Sequence, residues 1–262
     1  MSMKILDDVN AFIVADVGNS RIKWGLCNER EVLRAAGLPL EDSTAWERQL
    51  FAWKDDNTEF PLARGWMIAG VNPEAIQRLS RWLAARGFEP IPILANKLLP
   101  LRTQIEFPEE VGVDRLLNAV AFNSRHTAGQ PGIIVDAGSA VTVDWVDRAG
   151  IFRGGAILPG QRLMAQALHE CTAKLPLVAW NEPPGPMPGM NTHAAIAGGI
   201  HGAVVGGILR LAEEITGACR QEPARVLTGG DAPLLAPALP STWKPWPHMT
   251  LEGLRLTALR LS

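Results

Sequence analysis

The feature that most constrains this sequence is a supersecondary unit that occurs twice. The apolar run Phe12–Val17 ends in Asp16-Val17-Gly18-Asn19-Ser20 and is followed by a second apolar run, Ile22–Leu26. The stretch Ile133–Val146 repeats this almost position for position: Asp136 stands on Asp16, Gly138 on Gly18 and Ser139 on Asn19, and a second apolar strand follows each turn. Apolar runs around a glycine-bearing turn read as a β-hairpin. Repetition of the whole unit predicts two similar half-molecules, with the two aspartates facing each other across a cleft.

The rest of the chain fits an α/β alternation. Pro73–Arg86 has Ala75, Ile76, Leu79, Trp82 and Leu83 at helical spacing, with Pro73 at its start and Gly87 just past its end, and leads into a strand at Ile91–Leu94. Asp114–His126 is helical by period. Gly154–Gly160 punctuates a passage from strand to helix, with the helix over Gln161–Cys171, and Asn181–Met190 is a proline- and glycine-rich loop. A long helix is predicted from about His193 to Ala218. Its Gly198, Gly199, Gly202, Gly206 and Gly207 cost helix propensity and imply close backbone approach to another element. Val226–Ala232 is again a strand running into a glycine turn.

Composition narrows the function. With 262 residues, 47% of them hydrophobic, the chain has ample material for a core. Its 25 basic and 27 acidic residues are well mixed, so there is no basic stripe for nucleic acid. Cys27, Cys171 and Cys219 are widely separated and have no Cys-x-x-Cys spacing, which argues against a disulfide framework or a zinc site and fits a reducing cytoplasm. Asp7 and Asp8 lie where a signal peptide would be basic and then apolar. Ala194–Leu209 is apolar, but it is shorter than the ~20 residues of a membrane span and contains His201, so it reads as a buried helix rather than a membrane segment. The five histidines and nine tryptophans are scattered along the sequence and read as structural or surface residues.

The repeated turns are suited to phosphate. Glycine lets the backbone approach closely enough for several N–H groups to converge on one anion. An aspartate at the strand end can hold Mg2+, directly or through water. Asn19, Ser20 and Ser139 add side-chain donors, and Thr228-Gly229-Gly230 could line the nucleoside end. Neither a Walker-type Gly-x-x-x-x-Gly-Lys-Ser/Thr loop nor a strand-anchored Gly-x-Gly-x-x-Gly with a ribose-binding acid is present. One Asp-x-Gly turn could be a tight hairpin and nothing more; the repetition favours function. Gly112-Val113-Asp114-Arg115 leaves two readings open. Asp114 could accept a hydroxyl proton while Arg115 clamps a carboxylate, or the pair could be helix-start electrostatics.

Taken together these motifs resemble the type III pantothenate kinases, also labelled Bvg accessory factors, of the actin, Hsp70 and sugar kinase superfamily. The resemblance rests on the order Asp16–Ser20, Gly112–Arg115 with Asn118, Asp136–Ala140 with Thr142 and Asp144, Gly154–Gly160, Asn191-Thr192 and Thr228–Asp231. It implies an α/β fold of two actin-like (ribonuclease H-like) halves, residues 1–126 and 127–262, each a mixed sheet with flanking helices, around a central nucleotide cleft. It also implies transfer of the ATP γ-phosphate to pantothenate, the opening step of coenzyme A synthesis. In that pattern Asp114 is the general base, and Gly112, Val113, Asp114 and Arg115 bind pantothenate. Asp16, Val17, Gly18, Asn19, Ser20, Arg21, Ile22 and Lys23 hold the phosphates with Mg2+, and Ser139 contacts ATP. Asp136 coordinates K+ or NH4+, Thr192 touches pantothenate, and the molecule is a homodimer through its glycine-bearing helix. The family has Thr where this chain has Ser20 and Ser139, and a Tyr near the substrate where Phe107 stands. Two other functions fit the same fold: a catalytically silent accessory protein, or a kinase acting on a sugar.

Overall fold

The computed structural model describes residues 11–55, 65–93, 96–126 and 129–261. The acidic start at Asp7 and Asp8, and Leu94 at the end of the expected strand, lie outside the described residues. The chain divides into two compact units. The first comprises Met1–Arg102, Glu106–Arg125 and His248–Ser262; the second comprises Thr103–Ile105 and His126–Pro247. The break between the units falls at 125/126, and two segments cross it. The more consequential is the C-terminal one, which a two-halves reading gives to the second unit and which belongs to the first.

In the first unit β1 (Phe12–Val17), β2 (Ile22–Cys27) and β3 (Val32–Leu38) form an antiparallel meander. After α1 (Ser43–Asp55), β4 (Gly65–Gly70) adds parallel to β1; after α2 (Pro73–Ala84), β5 (Glu89–Pro92) adds parallel to β4, giving the order β3-β2-β1-β4-β5. Strand β5 begins two residues before the predicted Ile91. Asn72 caps α2, its Oδ1 accepting the Ala75 N–H at 3.1 Å, and Pro73 occupies the first turn, where it has no N–H to lose. All six β1 residues are buried, as expected of a central strand covered on both faces.

One face of this sheet packs on α1 and α2, and its core holds Trp24, Trp46, Trp53 and Trp66, with Trp82 against it. These tryptophans, scattered in sequence, meet in space: the Trp24 and Trp66 rings stand edge to face at 4.8 Å. After β6 (Arg102–Thr103), α3 (Val113–Arg125) and the last helix, α7 (Met249–Leu261), cover the other face. Helices α3 and α7 touch at Gly253, where an added Cβ would lie 1.9 Å from the Leu117 carbonyl oxygen. Close by, Thr250 donates to Asn118 Oδ1 at 3.0 Å, both residues buried. This packing is what draws the C-terminal segment into the first unit.

In the second unit the hairpin recurs as β7 (Gly132–Ala137) and β8 (Ala140–Val146), continued antiparallel by β9 (Ile151–Pro159). Helices α4 (Gln161–Glu170) and α5 (Thr192–Ala218) lead to β10 (Ala224–Thr228), α6 (Ala232–Leu235) and β11 (Trp243–Pro245), for a sheet of order β11-β10-β7-β8-β9-β6. The two units thus repeat a mixed sheet that begins with an antiparallel hairpin and continues with parallel strands.

Helix α5 corrects one expectation. It has 27 residues and, among the described residues, is the one helix long and apolar enough to cross a membrane by length and composition. It is not a fully buried helix. A stripe at four-residue spacing, Ile196, Ile200, Val204, Ile208 and Ala212, is buried against the unit's cores, while Ala195, Gly199, Gly202, Ala203, Gly206 and Leu209 are exposed. Close approach explains only two of its five central glycines: a Cβ at Gly198 would strike the Met187 sulfur at 2.3 Å, and one at Gly207 would meet Leu158 at 3.1 Å. At Gly199, Gly202 and Gly206 an added Cβ meets nothing within 4 Å.

Candidate active site

In the first unit the β1–β2 turn is closed by the Gly18 N–H donating to the Arg21 carbonyl at 3.1 Å. Asp16 and Lys23 are opposite each other in the ladder, and Lys23 Nζ sits 3.4 Å from the Asp16 carboxylate. Strand alternation puts Asp16 on the same face as Phe12 and Val14, the face covered by α3 and α7, and Asp16 is only 4% exposed. Val17 and Ile22 are buried and present backbone only, whereas Asn19, Ser20 and Arg21 stand exposed at the tip.

The Gly112–Arg115 segment comes to this turn through a loop that sequence reasoning missed. The Val71 N–H donates to the Val17 carbonyl at 3.0 Å, and Gly70 has no space for a side chain, since a Cβ there would lie 2.2 Å from the Val17 oxygen. The Val71 side chain in turn lies 3.5 Å from where a Gly112 Cβ would be, and Asp114 Oδ1 is 2.6 Å from the same point. Glycine at 112 is therefore required for the Asp114 carboxylate to sit where it does. That carboxylate accepts the Arg115 N–H at 2.9 Å, so the helix-start interaction is present. Asp114 and Arg115 are half-buried, and Val113 is buried beneath them. Phe107, at 57% exposure, precedes the short 3-10 turn Pro108–Glu110.

His248 also belongs here. It enters α7 with φ +60°, a left-handed conformation that side chains other than glycine seldom adopt. Burial and then the positive charge of Lys23 hold its pKa below the usual histidine range. A histidine before an apolar helix carries no mark in the sequence that it belongs with the first hairpin.

In the second unit two segments converge on the β7–β8 turn. The Gly138 N–H donates to the Ala140 carbonyl at 3.0 Å. Gly229, at φ +100°, packs against Ala137, where a Cβ would lie 2.2 Å from the carbonyl oxygen, and the Asp231 N–H donates to that oxygen at 2.9 Å. The Gly160 N–H donates to the Ser139 carbonyl at 3.0 Å, and Arg162 Nη2 reaches Ser139 Oγ at 3.3 Å. The structure thus brings Thr228–Asp231 and the start of α4 to the turn that carries Asp136 and Ser139; the part played by Gly160–Arg162 was not anticipated. Thr192 is the exposed first residue of α5, next to Asn191, whose side chain caps that helix.

The neighbours of Asp136 bear on cation binding. In the ladder it lies between Thr142 and Thr228. Thr142 Oγ1 is a buried oxygen with no hydrogen-bond partner among the described residues. A carboxylate beside an unclaimed hydroxyl is an oxygen-only donor set, which suits a hard monovalent cation. Among the described residues no cluster of three His, Cys, Asp or Glu side chains is placed to cage a metal.

Two glycine turns of the same construction, one on each of two mixed α/β units, are the architecture of the actin-like ATPase fold. Two solved structures are similar in fold: a Baf-family transcriptional activator from Campylobacter jejuni (TM-score 0.61, 19% identity, covering 95% of this chain and 98% of that one) and the activator of 2-hydroxyisocaproyl-CoA dehydratase from Clostridium difficile with bound ADPNP (TM-score 0.54, 12% identity, covering 95% and 93%). The chain belongs to the type III pantothenate kinase family, whose model matches residues 12–214. It is 32% identical over 256 residues to the type III pantothenate kinase of Gluconobacter oxydans, covering 95% of this chain and 93% of that one. It is 38% identical over 198 residues to that of Acidiphilium cryptum, covering 75% and 73%.

Proposed function

We propose that this chain catalyses the reaction for which its family is named, transfer of the γ-phosphoryl group of ATP to the primary hydroxyl of pantothenate, which opens coenzyme A biosynthesis. The observation that carries the reading is the seating of Asp114 beside the Asp16 turn through Val71 and Gly112 within one unit.

The roles follow from the chemistry of each side chain. The backbone of Asp16–Lys23, with the Asn19 and Ser20 side chains and the Lys23 ammonium, binds phosphate oxygens, and Ser139 contacts ATP. Asp114 takes the proton of the pantothenate hydroxyl as the oxygen attacks phosphorus; the bond from phosphorus to the bridging oxygen breaks, and its electron pair leaves with ADP. Arg115 binds the pantothenate carboxylate, with Gly112, Val113, Thr192 and Phe107 completing the substrate's surroundings. Asp136 with Thr142 would hold K+ or NH4+, and Asp16 would hold Mg2+ through water. These cations offset the charge that builds on the phosphates. The anionic partner that Arg115 calls for favours pantothenate over a neutral sugar.

We further propose a homodimer formed through the exposed small-residue face of α5, where Gly199, Gly202 and Gly206 leave room for a second helix. The free Cys27, Cys171 and Cys219 support a cytoplasmic location. Gly202→Trp should shift sedimentation from dimer to monomer, and an unchanged dimer would remove α5 from the interface. The reaction is tested by incubating purified protein with ATP, Mg2+ and K+ and following ADP release with pantothenate, with N-acetylhexosamines and with no acceptor. Release only with pantothenate is expected; equal release in all three arms excludes the reading.

A further inference from the structure

Helix α4 begins on the phosphate turn of the second unit, and the closeness of that contact is unusual. A Cβ at Gly160 would lie 2.2 Å from the Gly138 carbonyl oxygen and 2.7 Å from that of Ser139, so the helix start is seated on the turn's backbone. Gly160 is the N-cap of this ten-residue helix and has no capping side chain to offer its first-turn N–H groups. The next two residues are thereby fixed relative to Ser139, and both are donors. Arg162 places its guanidinium 3.3 Å from Ser139 Oγ. Gln161 is 4% exposed, and its buried Nε2 has no partner among the described residues. A buried donor without an acceptor is uncommon in a folded protein and costs about 1–3 kcal/mol.

We propose that Arg162 is a catalytic residue of the phosphoryl transfer, contacting the polyphosphate of the nucleotide held at the Ser139 turn, with Gln161 as a second donor beside it. The inference rests on the reading that this turn binds ATP phosphates. As the bond to the bridging oxygen breaks, negative charge collects on the departing ADP. A guanidinium fixed at the turn offsets that charge with two directed hydrogen bonds, which the single charge of an ammonium does not reproduce. Arg162 lies seven residues beyond the Gly154-Gly155 pair of β9 and forms no part of an Asp-x-Gly motif, so pattern alone does not single it out.

The test compares wild type with Arg162→Ala and Arg162→Lys. For Arg162→Ala, kcat/KM for ATP should fall at least about tenfold, an arginine acting on transferred phosphate being worth up to ~10³ or more. KM for pantothenate and the melting temperature should stay close to wild type. Millimolar guanidinium should restore part of the turnover of Arg162→Ala and none in wild type, a response that a merely structural role does not produce. Affinity for ADP, measured by calorimetry, should drop while affinity for AMP does not. Wild-type kcat/KM for ATP in Arg162→Ala, in a protein that still phosphorylates pantothenate, overturns the inference and leaves the function intact. If wild type shows no pantothenate-dependent ADP release, the function itself fails. The ADP affinity of the variants then decides the role of Arg162: no loss overturns it, and a loss confined to ADP sustains it. Should Arg162→Ala fold poorly, Arg162→Lys keeps the cation, and a fully active, guanidinium-insensitive Arg162→Lys counts against the directed contact.

Discussion

Gly253 of α7 and Leu117 of α3 cross backbone to backbone, with no room between them for even a methyl group. Helix α3 carries Asp114 and Arg115 at its start, so α7 sets where the proposed base stands. Gly253→Ala must push the helices apart, and overpacking of this kind costs roughly 1–3 kcal/mol. We expect a lower unfolding midpoint together with a loss of turnover larger than the unfolded fraction explains, because misplacing a reacting group by about 1 Å can cost ~10²-fold. Denaturant unfolding and kcat measured on the same preparation check both parts.

The substrate segment yields a paired prediction. Asp114→Asn keeps the shape of the side chain and its contact with the Arg115 N–H but removes its ability to take a proton. Turnover should fall by about 10²-fold or more with the melting temperature nearly unchanged. Arg115→Ala should raise KM for pantothenate much more than KM for ATP. Near-normal turnover in the first variant, or an equal rise of both constants in the second, contradicts the assignments.

A buried ion pair ties α7 to the hairpin side of the first unit. Arg255 donates to both Glu252 oxygens at 2.8 and 3.0 Å and to the carbonyls of Asn28 and Glu29, and Arg125 adds a contact to Glu252 at 3.2 Å. Burial pushes the Glu252 carboxyl up, but Arg255 and then Arg125 outweigh it and hold the group below the usual glutamate range. The folded state therefore binds the proton less readily than the unfolded chain. The contribution is complete above the ordinary glutamate range and is lost as pH falls through the folded pKa. Glu252→Gln should cost roughly 3–5 kcal/mol at neutral pH, since it leaves Arg255 buried without its counter-charge. The gap to wild type should narrow at acid pH, and unfolding midpoints at neutral and acid pH measure it.

What the residues revealed in advance was local. The two hairpins were legible because alternation and a glycine turn are short-range signals, and the Asp16 and Asp136 turns formed where the pattern placed them. The loop at Gly70–Val71 was not legible, because its role depends on meeting Val17 and Gly112 in space and nothing in Ala69–Asn72 declares that. The return of α7 to the first unit was hidden for the same reason: Gly253 looks like any glycine until Leu117 lies against it. Helix α5 failed in the opposite direction. Its composition is apolar all round, and composition does not say which face finds a neighbour, so a helix with one buried stripe read as buried throughout.

Phe107 offers the sharpest check on the substrate side. It is 57% exposed at the entry to the Gly112 loop, so a hydroxyl added to its ring needs no new cavity and should leave the melting temperature unchanged. If the ring forms a wall of the pantothenate site, the hydroxyl of Phe107→Tyr gains a hydrogen bond to substrate worth about 0.5–1.5 kcal/mol, which lowers KM for pantothenate by roughly two- to tenfold. Phe107→Ala removes the apolar wall and should raise the same constant, and KM for ATP should stay put in both variants. The opposite movement of one constant in two variants at an exposed position is hard to obtain from stability alone. Identical pantothenate constants for Phe, Tyr and Ala would show that the ring does not touch the substrate, and that its exposure serves some other contact.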